Sequence, residues 1–260
     1  MRFSIIIVCL NAGIDLLKTV ESTLNQTFSD YEILVKDGFS KDGSVDQLPK
    51  NSKIKIIRKK DSGIYDAMNQ AIAECSGEYV IFMNAGDCFF NEKVLELANQ
   101  EMLKKNGYIY YGKSYNAQAK MFDKCPPMID KYFCFRSMIC HQATIYKASL
   151  IKKRMYDVTY KISADREWLM YAVIKENVHP VYIPVNVALF QGGGLSCSRK
   201  GIERLKEENR KLLKQYFTLE ERVKYNIRYM MTLPHIRKLI TKNAVLARVY
   251  NKLVGIIYGT

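Results

Sequence analysis

No apolar stretch of this 260-residue chain approaches the roughly 20 residues needed to span a bilayer, so no transmembrane helix is expected. No Cys-x-x-Cys pair occurs among the seven cysteines, Cys9, Cys75, Cys88, Cys125, Cys134, Cys140 and Cys197, and their number is odd. Neither a thiolate zinc site nor a disulfide framework is suggested, and a reducing cytosol suits such usage best. No Gly-x-Gly-x-x-Gly follows a predicted strand, which argues against a dinucleotide-dependent dehydrogenase. Acidic residues are scarce, at 26 against 40 Lys and Arg, and the net charge is +14. The shortage is local: residues 199–260 hold 15 Lys/Arg, five Glu and no Asp, a net +10. Such a segment attracts a bilayer surface, a nucleic acid or a phosphorylated substrate, unless it is simply a solvated helical face. The charge comes with no recognised nucleic-acid-binding motif, so a basic nucleic-acid binder is only an alternative reading.

What is present reads as an α/β chain long enough for one large domain. Phe3–Leu10 is a continuous β-branched run, the mark of a parallel strand buried on both faces. It is too short for a secretion signal, and Asn11-Ala12-Gly13-Ile14-Asp15 follows it without a small-residue cleavage site. Further strands are expected at 31–35, 53–58, 79–83, 108–112 and 179–190, with helices at 15–24, 64–75, 92–104 and 161–177. Strands alternating with helices predict a mostly parallel sheet with right-handed crossovers, whose ligands sit beyond the carboxyl ends of the strands. Asp37 and Asp87 both follow strands and should share that edge. Residues 113–160 read as an irregular region, and helices resume from about Lys200, with breaks near Phe217-Thr218 and at Pro234.

Five segments recur in order: Ser4–Asn11, Gln26–Glu32, Asp37–Ser44, Asp61–Asn69 and Gly77–Asp87. In sequence and spacing they resemble the family 2 glycosyltransferases of GT-A fold, especially the colanic-acid and exopolysaccharide-assembly transferases. The resemblance covers about residues 1–110 and more loosely reaches Ser196. It implies a GT-A catalytic domain over 1–198, with a nucleotide-sugar half at 1–110 and an acceptor half at 111–198, followed by a basic helical tail at 199–260.

The resemblance also implies roles. Asp37 would accept a hydrogen bond from the base of a UDP- or GDP-type donor; in an Asp-Gly loop it is equally a turn residue. Leu10 and Asn11 would line the same pocket, Asp61 would add a polar contact to the nucleoside, and Asp66 and Asn69 belong to the same donor-binding set. Asp87 would hold Mn²⁺ or Mg²⁺ across the diphosphate, although Asn84-Ala85-Gly86-Asp87 lacks the family's further acids. Metal affinity without the nucleotide should therefore be weak, and Asp87 could also cap the helix after it. Asp165, in Ser163-Ala164-Asp165-Arg166-Glu167-Trp168, falls where the family has its catalytic base; ahead of an amphipathic helix it could also be an N-cap. His141 and Gln142 would position the acceptor or donor sugar. Gln191–Ser196, with Arg199, could close on the diphosphate or be a plain connector.

The activity implied is inverting transfer from a nucleotide sugar to a hydroxyl of a lipid-linked or polysaccharide acceptor. A sugar-nucleotide nucleotidyltransferase is the rival enzyme, but its first strand would open into a Gly-rich basic loop, whereas here it opens into Cys9–Gly13. The stripe of Val223, Ile227, Met230 and Met231, continued by Leu239, Ile240, Leu246, Val249, Leu253 and Ile257, suits an amphipathic element on an anionic leaflet. Packing on the domain or on a second copy, as in a homodimer, is the competing use. Peripheral attachment to the inner face of the cell membrane follows from the first reading.

Overall fold

The computed structural model describes residues 1–123, 125–192 and 198–231. It divides into two compact units, Met1–Arg210 and Lys211–Thr260. The first unit begins with β1 (Phe3–Cys9), α1 (Ile14–Leu24), β2 (Tyr31–Asp37), β3 (Ile54–Arg58), α2 (Ile64–Glu74) and β4 (Tyr79–Phe82). Then come β5 (Cys88–Phe89), α3 (Val94–Lys104), β6 (Ile109–Asn116), β7 (Met121–Phe122) and α4 (Lys131–Arg136). β8 (Thr144–Lys147), α5 (Ala148–Lys153), α6 (Ala164–Met170) and β9 (Val181–Phe190) follow. A long helix, α7 (Arg199–Tyr216), starts in the first unit.

β1 is buried along its whole length, as expected of a strand whose one polar residue is Ser4. It lies between β2 and β4 and is parallel to both, and β3 extends the parallel set beyond β2. Three strands therefore end together: Cys9 pairs with Asp37, and Asp37 with Arg58. α1 turns Leu16, Thr19, Val20 and Thr23 inward, at the three- and four-residue spacing of one helical face. α2 does the same with Tyr65, Met68 and Ile72.

Beyond β4 the sheet becomes mixed. Its order is β3-β2-β1-β4-β8-β6-β9-β5, with β7 paired to β6. β8 is antiparallel to β4 and β6, β9 is parallel to β6, and β5 is antiparallel to β9. β6 turns straight back through a hairpin into β7, with no crossover helix. β6 and β9 shift register between Tyr111 and Ser114, and the chains close up at Gly112. A Cβ there would stand 2.4 Å from the carbonyl oxygen of Val185, so the bulge accepts only glycine.

The predicted helix over 161–177 is shorter than expected. Its first three residues form a loop, and α6 passes into a π-helical turn at Tyr171–Lys175. In the second unit, α8 (Leu219–Met230) opens with a capping box. Glu221 N–H donates to Thr218 Oγ1 at 3.2 Å, and Thr218 N–H donates to the Glu221 carboxylate at 3.0 Å. Leu219, Val223, Ile227 and Met230 are all exposed along α8. The rest of the expected stripe, Leu239 to Ile257, lies outside the described residues. Among the described residues no helix is long and apolar enough to cross a membrane.

Candidate active site

The carboxyl ends of β1 and β4 open onto a cavity of about 1080 Å³. Its floor is the end of β1, Val8 to Leu10, and the turn Asn84–Asp87 after β4. α2 contributes Ile64, Tyr65 and Met68, and the turn before β8 contributes His141 and Gln142. The start of α6 brings Asp165, and the end of β9 brings Phe190 to Gly192. The volume suits a ligand larger than most drug-sized molecules.

Asp87 is buried at one side of this cavity. Gln142 Nε2 donates to one of its oxygens at 2.8 Å, and Gln191 N–H donates to the other at 3.1 Å. Burial raises its pKa despite these two donors. Among the described residues it makes no ion pair with Lys or Arg, so its charge has hydrogen-bond donors but no counter-ion. Asp87 does not cap the next helix, whose N-cap is Lys93. No cluster of three or more acidic, His or Cys ligands exists among the described residues. Asp87 thus fits a metal only as one protein ligand, with the remaining positions left to phosphate and water. Asn84 Oδ1, on the same turn, is buried without a protein partner among the described residues.

Asp165 lines the same cavity. It is the second residue of α6 and not its N-cap, which is Ser163. Tyr65 Oη donates to Asp165 Oδ1 at 2.9 Å, and Arg166 N–H donates to the same oxygen at 2.8 Å. Oδ2 has no protein partner among the described residues. The two neighbouring charges are otherwise engaged. Glu167 is fully buried in a bidentate pair with Arg154, and Arg166 donates to Asn209 and to the carbonyls of Cys134 and Phe135. Of the three, Asp165 alone lines the cavity.

His141 stacks on Phe82 with ring centroids 5.6 Å apart, and its Nε2 lies 3.3 Å from Asn84 Nδ2. Its Nδ1 is buried without a partner. Burial lowers its pKa against the opposing pull of the Asp165 charge, so the ring is neutral near pH 7. An unfolded chain binds this proton at a pH where the folded one does not. Stability should therefore fall as pH drops through about 6.5. Urea unfolding at pH 7.5 and 5.5 should show a smaller loss in His141→Gln than in the wild type.

The remaining predicted residues lie elsewhere. Asp37 is fully buried outside the cavity lining: Ser40 N–H donates to Oδ1 at 2.8 Å and Arg58 Nε to Oδ2 at 3.0 Å. Its turn role is thus real. Asn11, at φ 51°, accepts from Lys41 N–H and donates its own N–H to Ser40 Oγ, clasping the Asp37 loop to β1. Asp61 accepts from the buried Lys36 Nζ at 2.8 Å and from Gly63 N–H. Asp66 accepts from Ser62 N–H and Gln70, while Asn69 clamps both polar backbone groups of Tyr156. Neither faces the cavity. Arg199 is exposed and pairs with Glu203; Ser196, with the rest of 193–197, lies outside the described residues. Sequence reasoning missed Tyr65, although it sits inside the Asp61–Asn69 segment. Lys18, Lys113 and Lys161 also reach the lining unannounced.

The family model described as Glycosyl transferase family 2 matches residues 4–161. A PGL/p-HBAD biosynthesis glycosyltransferase of Mycobacterium bovis is 26% identical over 214 residues, covering 75% of this chain and 78% of that protein. Among solved structures, Staphylococcus aureus TarS 1-349 in complex with UDP-GlcNAc superposes with a TM-score of 0.65 at 17% identity. That match covers 80% of this chain and 65% of TarS 1-349. The mannosyltransferase PcManGT of Pyrobaculum calidifontis, in complex with GDP-Man and Mn²⁺, gives a TM-score of 0.56 at 13% identity, covering 70% of this chain and 55% of that one. This chain thus spans less than two thirds of either solved protein, and at these identities the likeness establishes the GT-A fold.

Proposed function

We propose, from the premise that this chain belongs to glycosyl transferase family 2 and is a glycosyltransferase, that its cavity transfers a sugar from a UDP- or GDP-type donor to an acceptor hydroxyl with inversion. The observation that carries the proposal is the placement of two carboxylates, Asp87 and Asp165, in the lining of one cavity at the carboxyl edge of the sheet. They have separate surroundings and take separate roles.

Asp87 holds the diphosphate end. A divalent cation bound there, Mn²⁺ or Mg²⁺, supplies charge neutralisation for the departing nucleoside diphosphate. Gln142 and the Gln191 backbone fix the orientation of the carboxylate, and Asn84 lies beside it. Leu10 forms the wall toward the nucleoside. Asp37, Asn11 and Asp61 support that wall by holding the 37–42 loop against β1. Ser196 and Arg199 are assigned to the diphosphate from the sequence reading of Gln191–Ser196 as a loop that closes on it, and Asp66 and Asn69 act by shaping α2.

Asp165 is the base. As the acceptor oxygen attacks the anomeric carbon, its proton passes to Asp165 and the bond from that carbon to the diphosphate oxygen breaks. Attack opposite the leaving group inverts the centre. Tyr65 holds Oδ1 and so leaves Oδ2 for the proton. His141 and Gln142 position sugar hydroxyls.

The acceptor proposed is a lipid-linked or polysaccharide hydroxyl, presented at the inner face of the cell membrane. Support comes from the basic tail and from α8, whose exposed Val223, Ile227 and Met230 stand beside Arg222 and Lys224. Salt-sensitive retention on anionic liposomes would support this attachment; a dimer with no liposome binding would assign the face to a second copy.

The activity is tested by incubating the purified protein with UDP- and GDP-sugars and Mn²⁺ and measuring nucleoside diphosphate release. Release from one base class is expected. Neither release nor nucleotide binding with any donor would overturn the proposal.

A further inference from the structure

The loop Lys161-Ile162-Ser163, which delivers Asp165 to the cavity, is gripped by a single side chain from α7. Glu208 Oε1 accepts from Lys161 N–H at 2.8 Å. Glu208 Oε2 accepts from Ile162 N–H at 3.1 Å, Ser163 N–H at 3.0 Å and Ser163 Oγ at 2.8 Å. Ser163 is the N-cap of α6, yet its hydroxyl makes no cap hydrogen bond and goes to Glu208. Arg204 Nε, one turn earlier on α7, donates to Glu208 Oε1 at 3.1 Å. The next residue, Asn209, accepts from Arg166 Nη1 at 2.8 Å. The residues before and after Asp165 are thus tied to two consecutive positions of α7.

We propose that Glu208 is a positioning residue that fixes the Asp165 carboxylate in the cavity by clamping the backbone ahead of it. The proposal rests on the reading of Asp165 as base. Both residues lie beyond the stretch the family model matches, which ends at residue 161. Hydrogen bonds to an ionised carboxylate are the stronger kind, and four of these five come from the loop. Burial would push the Glu208 pKa up, but the combined hydrogen bonds outweigh it and hold it below the usual range. The clamp is therefore charged across the range in which a base works. Tyr65 completes the hold from α2, sharing its one hydroxyl proton between the Ile162 carbonyl at 2.7 Å and Asp165 Oδ1 at 2.9 Å. The carboxylate is fixed through its backbone from one side and through Oδ1 from the other.

Glu208→Gln keeps the shape but turns an amide NH₂ toward backbone donors. In the full chain, nucleoside diphosphate release from the sugar nucleotide the wild type uses best should fall on the order of 10²-fold in kcat, the cost of a small misplacement of a reacting group. The Kd of UDP or GDP, measured by titration with Mn²⁺, should stay within about twofold, because the Asp87 end is untouched. In an Asp165→Asn background, Glu208→Gln should lower kcat no further, since a residue acting through Asp165 has nothing left to position. An equal further loss in that background would overturn the proposal, as would full turnover in Glu208→Gln. Should Glu208→Gln fail to fold, Ser163→Ala removes one of the four loop bonds. It should lower kcat several-fold with nucleotide Kd unchanged, and unaltered kcat would again overturn the clamp. Wild-type turnover in Asp165→Asn would overturn the base assignment together with the clamp. Lost turnover there, with unaltered turnover in Glu208→Gln, would overturn the clamp alone.

Discussion

Asp165→Asn is expected to lower turnover by roughly 10²- to 10⁴-fold, the contribution of a positioned general base, while leaving nucleotide affinity nearly unchanged. Asn is almost isosteric, so Tyr65 and the Arg166 N–H can still donate to Oδ1, which they reach at 2.9 and 2.8 Å. What is lost is the capacity of Oδ2 to take the proton. Nucleoside diphosphate binding, proposed at Asp87, should survive. Parallel measurement of kcat and of nucleotide Kd separates the two. A fall in Kd-derived affinity as large as the fall in kcat would place Asp165 in donor binding instead.

Asp87→Ala should have the second large effect, of a different kind. Removing the carboxylate should take away the acidic contact proposed for the cation, and with it stabilisation of charge on the leaving diphosphate. Loss of one such electrostatic partner costs about 10²- to 10³-fold in turnover. The variant should also lose metal linkage. UDP or GDP should bind the wild type more tightly with Mn²⁺ than without, and the two affinities should become equal in the variant. Calorimetric titration in both conditions reads this directly. A persistent gain from Mn²⁺ in Asp87→Ala would move the cation to other ligands.

Much of this was legible in the sequence, for physical reasons that can be named. The run Phe3–Cys9, polar only at Ser4, reads as a strand covered on both faces, and β1 lies inside the parallel set. Asp87 follows a strand that ends at the same edge as β1, so strand order alone brings it to the cavity. Asp37 obeyed the same logic in backbone position but not in side chain. Its partner in the β2–β3 register is Arg58, and the cross-strand ion pair turns the carboxylate away from the cavity.

Residues on α2 show a second limit. Within Asp61–Asn69 the helix phase, set by Met68 and Ile72 packing inward, presents Tyr65 to the cavity and turns Asp66 and Asn69 elsewhere. Choosing polar residues by type picked the wrong face. Glu208 could not be read at all. Its role depends on a contact across 45 residues to the Ser163 backbone, and backbone N–H groups carry no sequence signature. Likewise the antiparallel half of the sheet hangs on a hairpin at β6–β7 and on two-residue strands too short to show alternation.

The most direct measurement is a crystal structure of the protein with a nucleoside diphosphate and Mn²⁺. The account places the diphosphate at the Asn84–Asp87 turn, with an Asp87 oxygen at about 2.0–2.2 Å from the metal and Asp165 facing the vacant sugar position across the cavity. A nucleotide bound elsewhere, or one whose diphosphate ignores Asp87, would contradict it.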